Sequence, residues 1–330
     1  MVRFLSVCSG IEAASVAWNP LGWHAVAFSE IDPFPCAVLD HHYPDVPNLG
    51  DMTKFKDWPD VSIDLLCGGT PCQSFSVAGL RKGLDDPRGN LMLTFGAIAG
   101  RYRPRWLVWE NVPGVLSSNG GRDFGAFLGM LGQLGYGVAY RVLDAQYFGV
   151  AQRRRRVFVV GYLGDWRRAA AVLFERHSLS GDSAPSREAR ESFTHDVAPC
   201  LTSSGRGVER IGETRGQDPV IAQCLTTGTG QRYDPETETI LPVAFTLKLP
   251  SASGGGQPAA CMTPQMAVRR LTPRECERLQ GFPDNYTLVP HRGKPAADGP
   301  RYKALGNSWA VPVARWVGER IEQVESLEVA

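Results

Sequence analysis

Three groups capable of joint chemistry stand at the ends of apolar runs. Pro71-Cys72-Gln73 lies within Gly68-Gly69-Thr70-Pro71-Cys72-Gln73-Ser74-Phe75-Ser76, just after the apolar run at 63–67. Glycines on one side and small hydroxyl residues on the other put the Cys72 thiol on an open loop, where a rigid sheet can present a nucleophile. Glu110-Asn111-Val112 follows the apolar run 106–109, and Gln152-Arg153-Arg154-Arg155-Arg156 precedes the run 157–160. A thiol that can act as a nucleophile, a carboxyl group and a guanidinium thus stand at the ends of three expected strands, a set far more telling together than any one alone. A free cysteine of pKa ~8.5 is only slightly ionised near neutral pH, so the nucleophile needs positive charge nearby, and Arg156 can supply it. Alternation along a strand pairs Arg154 with Arg156 on one face and leaves Arg153 and Arg155 on the other.

The elements that must position these groups read as an α/β fold. Residues 3–162 alternate short apolar runs with helical stretches, the pattern of a largely parallel sheet covered on both faces. Strands are expected at 4–8, 25–29, 63–67, 106–109, 138–143 and 157–162, with helices at 12–18 and 124–134. After about Gly164 the texture changes, and 178–265 is rich in Ser, Thr, Gly and Pro. Helical order returns from Val268, where Thr272-Pro273-Arg274-Glu275 reads as a capping box with proline at the first helical position. Gly281 stops that helix and Pro283 prevents its resumption. A last helix is expected at 311–324, after Gly306-Asn307-Ser308. The chain thus divides into 1–164, 165–267 and 268–330, the last segment returning to the first.

The middle segment carries a degenerate repeat. Ala198-Pro199-Cys200-Leu201-Thr202-Ser203-Ser204-Gly205 resembles Ala222-Gln223-Cys224-Leu225-Thr226-Thr227-Gly228, and a looser copy runs from Ala244-Phe245-Thr246-Leu247 to Gly254-Gly255-Gly256. Each unit reads as a short strand and a glycine-rich turn, which makes a small, loop-rich β module; a flexible linker is the alternative. Ten Lys/Arg against twelve Asp/Glu from Asp165 to Val268 show that this segment is no basic patch.

With 330 residues, 43% hydrophobic and 21% charged, the chain can build one large core domain and a smaller one. A net charge of +1 confines any nucleic-acid surface to a local patch. No long apolar run and no basic-then-apolar leader stand in the sequence, so a cytoplasmic protein with no membrane span is expected. The eight cysteines form no CxxC pair, and His41-His42 is not spaced against them like a zinc site. Reduced thiols and no metal are expected. A Cys67–Cys72 disulfide would consume the loop thiol and is rejected.

The ordered motifs closely resemble those of the C5-cytosine DNA methyltransferases, particularly compact bacterial and phage-borne members. The resemblance rests on Ser9-Gly10, Glu30, Gly50-Asp51, Pro71-Cys72-Gln73, Glu110-Asn111-Val112, the 152–156 run, the block 270–286 and Gly306-Asn307-Ser308, in family order over nearly the whole chain. One departure is Glu12-Ala13-Ala14, where the family usually carries a glycine pair. The resemblance implies a Rossmann-like S-adenosylmethionine-dependent methyltransferase sheet with a smaller, loop-rich β target-recognition domain at 165–267. It also implies DNA (cytosine-5-)-methyltransferase activity, as in restriction–modification or phage DNA protection.

By this resemblance Cys72 is the nucleophile, Glu110 binds and protonates N3 of cytosine, Arg156 binds O2, and Arg154 supports the site. Glu110 then needs a raised pKa, which burial behind Trp109 and Val112 would supply. Ser9, Gly10, Ile11 and Glu12 would form the close-approach turn for S-adenosylmethionine, with Glu30 and Ile31 at its ribose and Asp51 and Met52 at its adenine. Leu91 would line the same pocket, and Asn307 and Ser308 would approach the methionine end. Extruding cytosine from double-stranded DNA costs about a few kcal/mol. DNA contacts fall to Gln73, Ser74, Ser76, Arg81, Lys82 and Arg88 of the 73–90 loop, and to Thr202, Thr226 and Thr246 of the middle module. One chain carries every motif, so a monomer is expected.

Rival readings are narrower. An RNA cytosine-5 methyltransferase acting on transfer RNA would share the site and donor, but the extended variable region favours DNA. A non-catalytic DNA-binding paralogue sits poorly with intact Cys72, Glu110 and Arg156. A nicotinamide-dependent Rossmann enzyme lacks GxGxxG and leaves the Pro-Cys-Gln loop unexplained.

Overall fold

The computed structural model describes residues 1–71, 91–174, 260–262 and 268–327. A six-stranded sheet runs in the order β2-β1-β3-β4-β6-β5, built from β1 (Arg3–Val7), β2 (His24–Ser29), β3 (Leu65–Gly68), β4 (Trp106–Asn111), β5 (Tyr136–Asp144) and β6 (Arg155–Leu163). The β1–β2, β1–β3 and β3–β4 pairs are parallel, whereas β6 pairs antiparallel with both β4 and β5. Only β6 therefore runs against the other strands of this sheet. The expected strands are all present with shifted ends, and the largely parallel sheet is confirmed.

Strand periodicity assigns the two faces. Phe4, Leu65, Cys67, Trp106, Val108, Phe158 and Val160 belong to one apolar layer; Leu5, Val7, Leu66, Leu107, Trp109, Val157 and Val159 belong to the other. Every residue of β4 is buried, as a strand covered on both faces requires.

Helices α1 (Ala13–Trp18), α2 (Pro33–His42), α3 (Leu91–Tyr102) and α4 (Arg122–Gln133) connect the sheet's first strands. Next, α5 (Trp166–Leu173) packs on β5 and β6, so the sheet's covering layer continues past the boundary read at 164. Two short strands, β7 (Ala260–Met262) and β8 (Val268–Arg270), pair antiparallel. Residues 175–259, including Thr202, Thr226 and Thr246, lie outside the described residues.

The C-terminal segment packs back against the helices that cover the sheet. Helix α6 (Pro273–Gln280) starts with the expected capping box: Glu275 N–H donates to Thr272 Oγ1 at 3.3 Å and Thr272 N–H to Glu275 Oε2 at 2.6 Å. It ends at Gly281, whose φ of 78° and approach to Pro312, where a Cβ would stand 2.5 Å from Cδ, both require glycine. Within this segment the buried Glu277 accepts Asn285 N–H (2.7 Å), Thr287 N–H (2.8 Å) and Arg301 Nη2 (3.2 Å). That network positions α7 (Asp298–Asn307), whose end carries Gly306 and Asn307.

Helix α8 (Val311–Ser326) then packs along α1 and α5. Three indole N–H groups anchor it: Trp18 to Ala314 O (2.7 Å), Trp23 to Glu322 (2.9 Å) and Trp106 to Glu325 (2.7 Å). Burying one such aromatic contributes about 2–3 kcal/mol, so the returning segment is part of the core. Among the described residues no helix is long and apolar enough to cross a membrane.

Candidate active site

The reversed strand brings the site together. Parallel β3 and β4 end at one edge of the sheet, and antiparallel β6 begins there. Register pairs Glu110 with Phe158 and Asn111 with Val157, so Arg156 emerges beside the end of β4. Its Nε lies 3.0 Å from Glu110 Oε1. Glu110 belongs to the strand itself and is only 6% exposed.

Burial is the main cause that raises the Glu110 pKa; Arg156, then Arg154, then the Trp309 indole oppose it. The source of this burial differs from the sequence expectation. Trp109 points to the opposite layer, with its ring 4.6 Å from Phe127, and Val112 is exposed. Gly69 and Trp309 are what close over the carboxyl. A Cβ at Gly69 would stand 3.0 Å from Glu110 Oε2 and 2.9 Å from Trp309 Nε1. The sequence reading missed Trp309; its only signal was its place directly after Gly306-Asn307-Ser308.

The segment leading to Cys72 is anchored to the same strand. Trp109 Nε1 donates to Thr70 Oγ1 at 2.9 Å, and Asn111 Nδ2 donates to Thr70 O at 2.8 Å. Pro71, Glu110 and Arg156 all line one cavity of about 860 Å³. Cys72, Gln73, Ser74, Ser76, Arg81, Lys82 and Arg88 lie outside the described residues.

Within the arginine run Arg154 is buried, Arg155 exposed, and Arg153 and Arg156 both intermediate, so the expected alternation is clear only at Arg154 and Arg155. Arg154 does not line the large cavity. Its Nη2 donates to Gly306 O (2.9 Å) and Ser308 O (2.7 Å), which ties the turn between α7 and α8 to the start of β6. Burial and the adjacent Arg156 lower its pKa. Its place is that of a brace behind Arg156.

The other end of the cavity gathers residues that the sequence reading sets around a nucleoside. Gly10, Glu30, Ile31, Asp51, Met52, Leu91 and Asn307 all line it. Glu30 is held by backbone amides: Gly10 N–H to Oε2, and Ile31 and Asp32 N–H to Oε1, each at 2.8 Å. Ile31 is 70% exposed, an apolar side chain offered to a ring. Asp51 caps the next turn through Oδ1, which accepts Thr53 N–H and Oγ1–H. Gly10 has φ 55°, and the space where a Cβ would point is open. Cys8, absent from the sequence expectations, also lines this end, with Sγ 3.4 Å from Met52 Sδ.

Other residues of the first turn are placed differently. Ile11 is fully buried in the core and lines neither cavity. Ser9, Glu12 and Ser308 line a smaller cavity of about 40 Å³, which shares Cys8, Gly10, Gly69 and Asn307 with the large one. Ser9 Oγ donates to Ser6 O at 2.9 Å. Glu12 caps α1, accepting Ser15 N–H and Oγ–H at 3.1 Å and Ser6 Oγ–H at 2.8 Å. Its φ of 62° is the left-handed conformation that the family's usual glycine adopts freely.

The family described as C-5 cytosine-specific DNA methylase matches residues 2–323. A DNA N-6-adenine-methyltransferase of Escherichia phage P1 is 37% identical over 456 aligned residues, which take in 96% of this chain and 60% of that protein. This chain therefore spans well under the full length of that relative. The type II methyltransferase M.HhaI of Haemophilus parahaemolyticus is 26% identical, with 97% of this chain and 94% of that protein covered. In fold, the crystal structure of S. pombe Dnmt2 methyltransferase is similar, at a TM-score of 0.62 and 19% identity over 98% of this chain and 99% of that one. On the match over residues 2–323, the chain belongs to the C-5 cytosine-specific DNA methylase family.

Proposed function

We propose that the protein is a DNA (cytosine-5-)-methyltransferase that extrudes cytosine from duplex DNA and methylates carbon 5 through a transient bond to Cys72. The observation that carries this reading is the ion pair of buried Glu110 with half-buried Arg156 on a cavity wall shared with Pro71, the residue before Cys72. The Cys72 thiolate adds to carbon 6, and the displaced electron density moves toward N3 and O2. Glu110, its pKa raised by burial, gives a proton to N3, while the Arg156 guanidinium faces O2. Carbon 5 is then electron-rich enough to take the methyl group. Loss of the carbon 5 proton to solvent, departure of the Cys72 sulfur as thiolate and return of the N3 proton to Glu110 restore the aromatic ring and the starting state of both residues.

The nucleoside end of the cavity fits S-adenosylmethionine. Glu30 would accept from the ribose hydroxyls, Asp51 would meet the adenine amino group, and Ile31, Met52 and Leu91 would pack on the ring. Asn307, with Ser308 and the Ser9-Gly10 turn, would hold the methionine end. When bound, this donor supplies an electrophilic methyl group. Sequence recognition belongs to the variable segment expected at 165–267, and Arg81, Lys82 and Arg88 would meet phosphates. The protein would act as a monomer in the cytoplasm of a bacterial or phage-infected cell, in restriction–modification or phage DNA protection.

The name of the phage P1 relative raises a second product, N6-methyladenine. Transfer to an exocyclic nitrogen needs neither a thiol adduct nor a proton donor for N3, and Glu110 with Arg156 favours the cytosine reaction. Nucleoside analysis after incubation with duplex DNA, transfer RNA and labelled donor decides between them. 5-Methylcytosine in duplex DNA is expected; label confined to RNA, or only N6-methyladenine, would overturn the reading. Cys72→Ser should lower turnover by about 10³-fold or more and abolish the covalent complex with 5-fluorocytosine DNA. Bisulfite sequencing of DNA from expressing cells would then give the recognition site.

A further inference from the structure

Trp309 lines the smaller cavity, beside Gly69 and Ser308. It follows Ser308, whose carbonyl is held by Arg154 at 2.7 Å, so its backbone is fixed to the arginine run. Its ring is wedged edge-on between Trp18 (6.3 Å, 70°) and Phe158 (5.7 Å, 74°), and Phe158 is the register partner of Glu110. Trp309 is 8% exposed, and its Nε1 and Glu110 Oε2 both converge on one point, 2.9 and 3.0 Å from where a Cβ at Gly69 would stand.

We infer that the Trp309 indole N–H is a positioning donor for the Glu110 carboxyl, holding Oε2 while Arg156 holds Oε1. This rests on the proposed role of Glu110 as proton donor to the base. Division of labour follows from the two donors. Arg156 lines the cavity, where its guanidinium, held by Glu110 and by the Arg155 carbonyl (2.8 Å), can be shared with a substrate oxygen while the neutral indole keeps the carboxyl aimed. Glycine at 69 leaves this contact room, because a Cβ there would press on both partners, 2.9 Å from the indole nitrogen and 3.0 Å from the carboxyl oxygen.

An indole donor favours the ionised carboxyl, in line with its opposing the effect of burial on Glu110. Removing it therefore moves the Glu110 titration to higher pH. The test is carbon-13 NMR titration of glutamate-labelled protein, with the Glu110 signal assigned by its loss in Glu110→Gln. Trp309→Phe keeps an aromatic ring and drops the N–H. The Glu110 midpoint should rise by about one pH unit, and the alkaline limb of kcat for methyl transfer should move the same way. The KM for S-adenosylmethionine should stay within about twofold while kcat near pH 7 falls by about tenfold, as misaiming predicts. If Trp309→Phe does not fold, benzothienylalanine at 309, which replaces only the N–H by sulfur, takes its place.

An unmoved Glu110 midpoint in a folded variant overturns the inference. So does a changed KM with an unmoved midpoint, which marks Trp309 as cofactor packing. A midpoint that rises while the rate limb stays put supports the indole contact and instead removes Glu110 from the proposed chemistry.

Discussion

Glu110 and Glu12 make a controlled comparison inside one molecule. Both are glutamates with buried side chains, and in both burial is the first cause that raises the carboxyl pKa, for Glu12 to about 7. Their partners differ. Glu12 is met by neutral donors, the Ser6 and Ser15 hydroxyls and the Ser15 amide, and it lies off the large cavity. Glu110 has two guanidinium groups nearby and edges the cavity. Burial alone makes an acid reluctant to ionise. It becomes a reagent only where open space reaches it and a cation can be shared with a substrate.

The largest effect expected from this contrast is on turnover. Glu110→Gln should lower the rate of methyl transfer to duplex DNA by about 10²–10⁴-fold, read in single-turnover assays. A loss of equal size in Glu12→Gln would erase the distinction, because it would make the cap as necessary to the chemistry as the acid.

A smaller effect belongs to the wall of the site. Gly69→Ala puts a methyl group about where Trp309 Nε1 and Glu110 Oε2 approach, at 2.9 and 3.0 Å. The expected result is a kcat lowered by about tenfold, with DNA affinity by gel shift retained. Wild-type kcat in this variant would mean that the carboxyl has no fixed aim to lose.

The smallest effect is on stability, and it isolates Glu12. Its folded pKa stands above the ordinary value of 4.5, at about 7, so the folded protein binds the extra proton between those limits. Stability should therefore fall as pH rises through that window and level off above it. The nearby Glu30 adds to the effect, and Cys67, Tyr43 and Tyr286 are the other titratable groups that sense Glu12. The loss is on the order of 3 kcal/mol as an upper bound. In Glu12→Gln the amide oxygen can take both Ser15 donors, and the amide nitrogen can give to the Ser6 hydroxyl. Urea unfolding at pH 5 and pH 8 should show a flattened dependence in the variant; an unchanged slope would mean that Glu12 titrates near its ordinary value.

Local signals in the chain were reliable where the physics is local. The capping box at Thr272, the stop at Gly281 and the burial of Arg154 beside exposed Arg155 depend on near neighbours along the chain, and all appear. The expectation that Val112 shields Glu110 failed because strand alternation and the exposed turn after β4 leave that task to residues remote in sequence. Trp309 carried no motif of its own. Its proximity to Glu110 arises only when the turn between α7 and α8 is braced by Arg154.

By itself the sequence determined which reactive side chains stand beside which apolar runs, and therefore the chemistry available. A run of arginines before a strand and a glutamate at the end of another would lie at opposite edges of an all-parallel sheet. Only the tertiary structure decided that β6 runs antiparallel to β4, which sets Arg156 3.0 Å from Glu110. Strand direction is fixed where β6 enters the sheet between β4 and β5, and its pairing with β4, distant along the chain, is a choice that no short motif encodes.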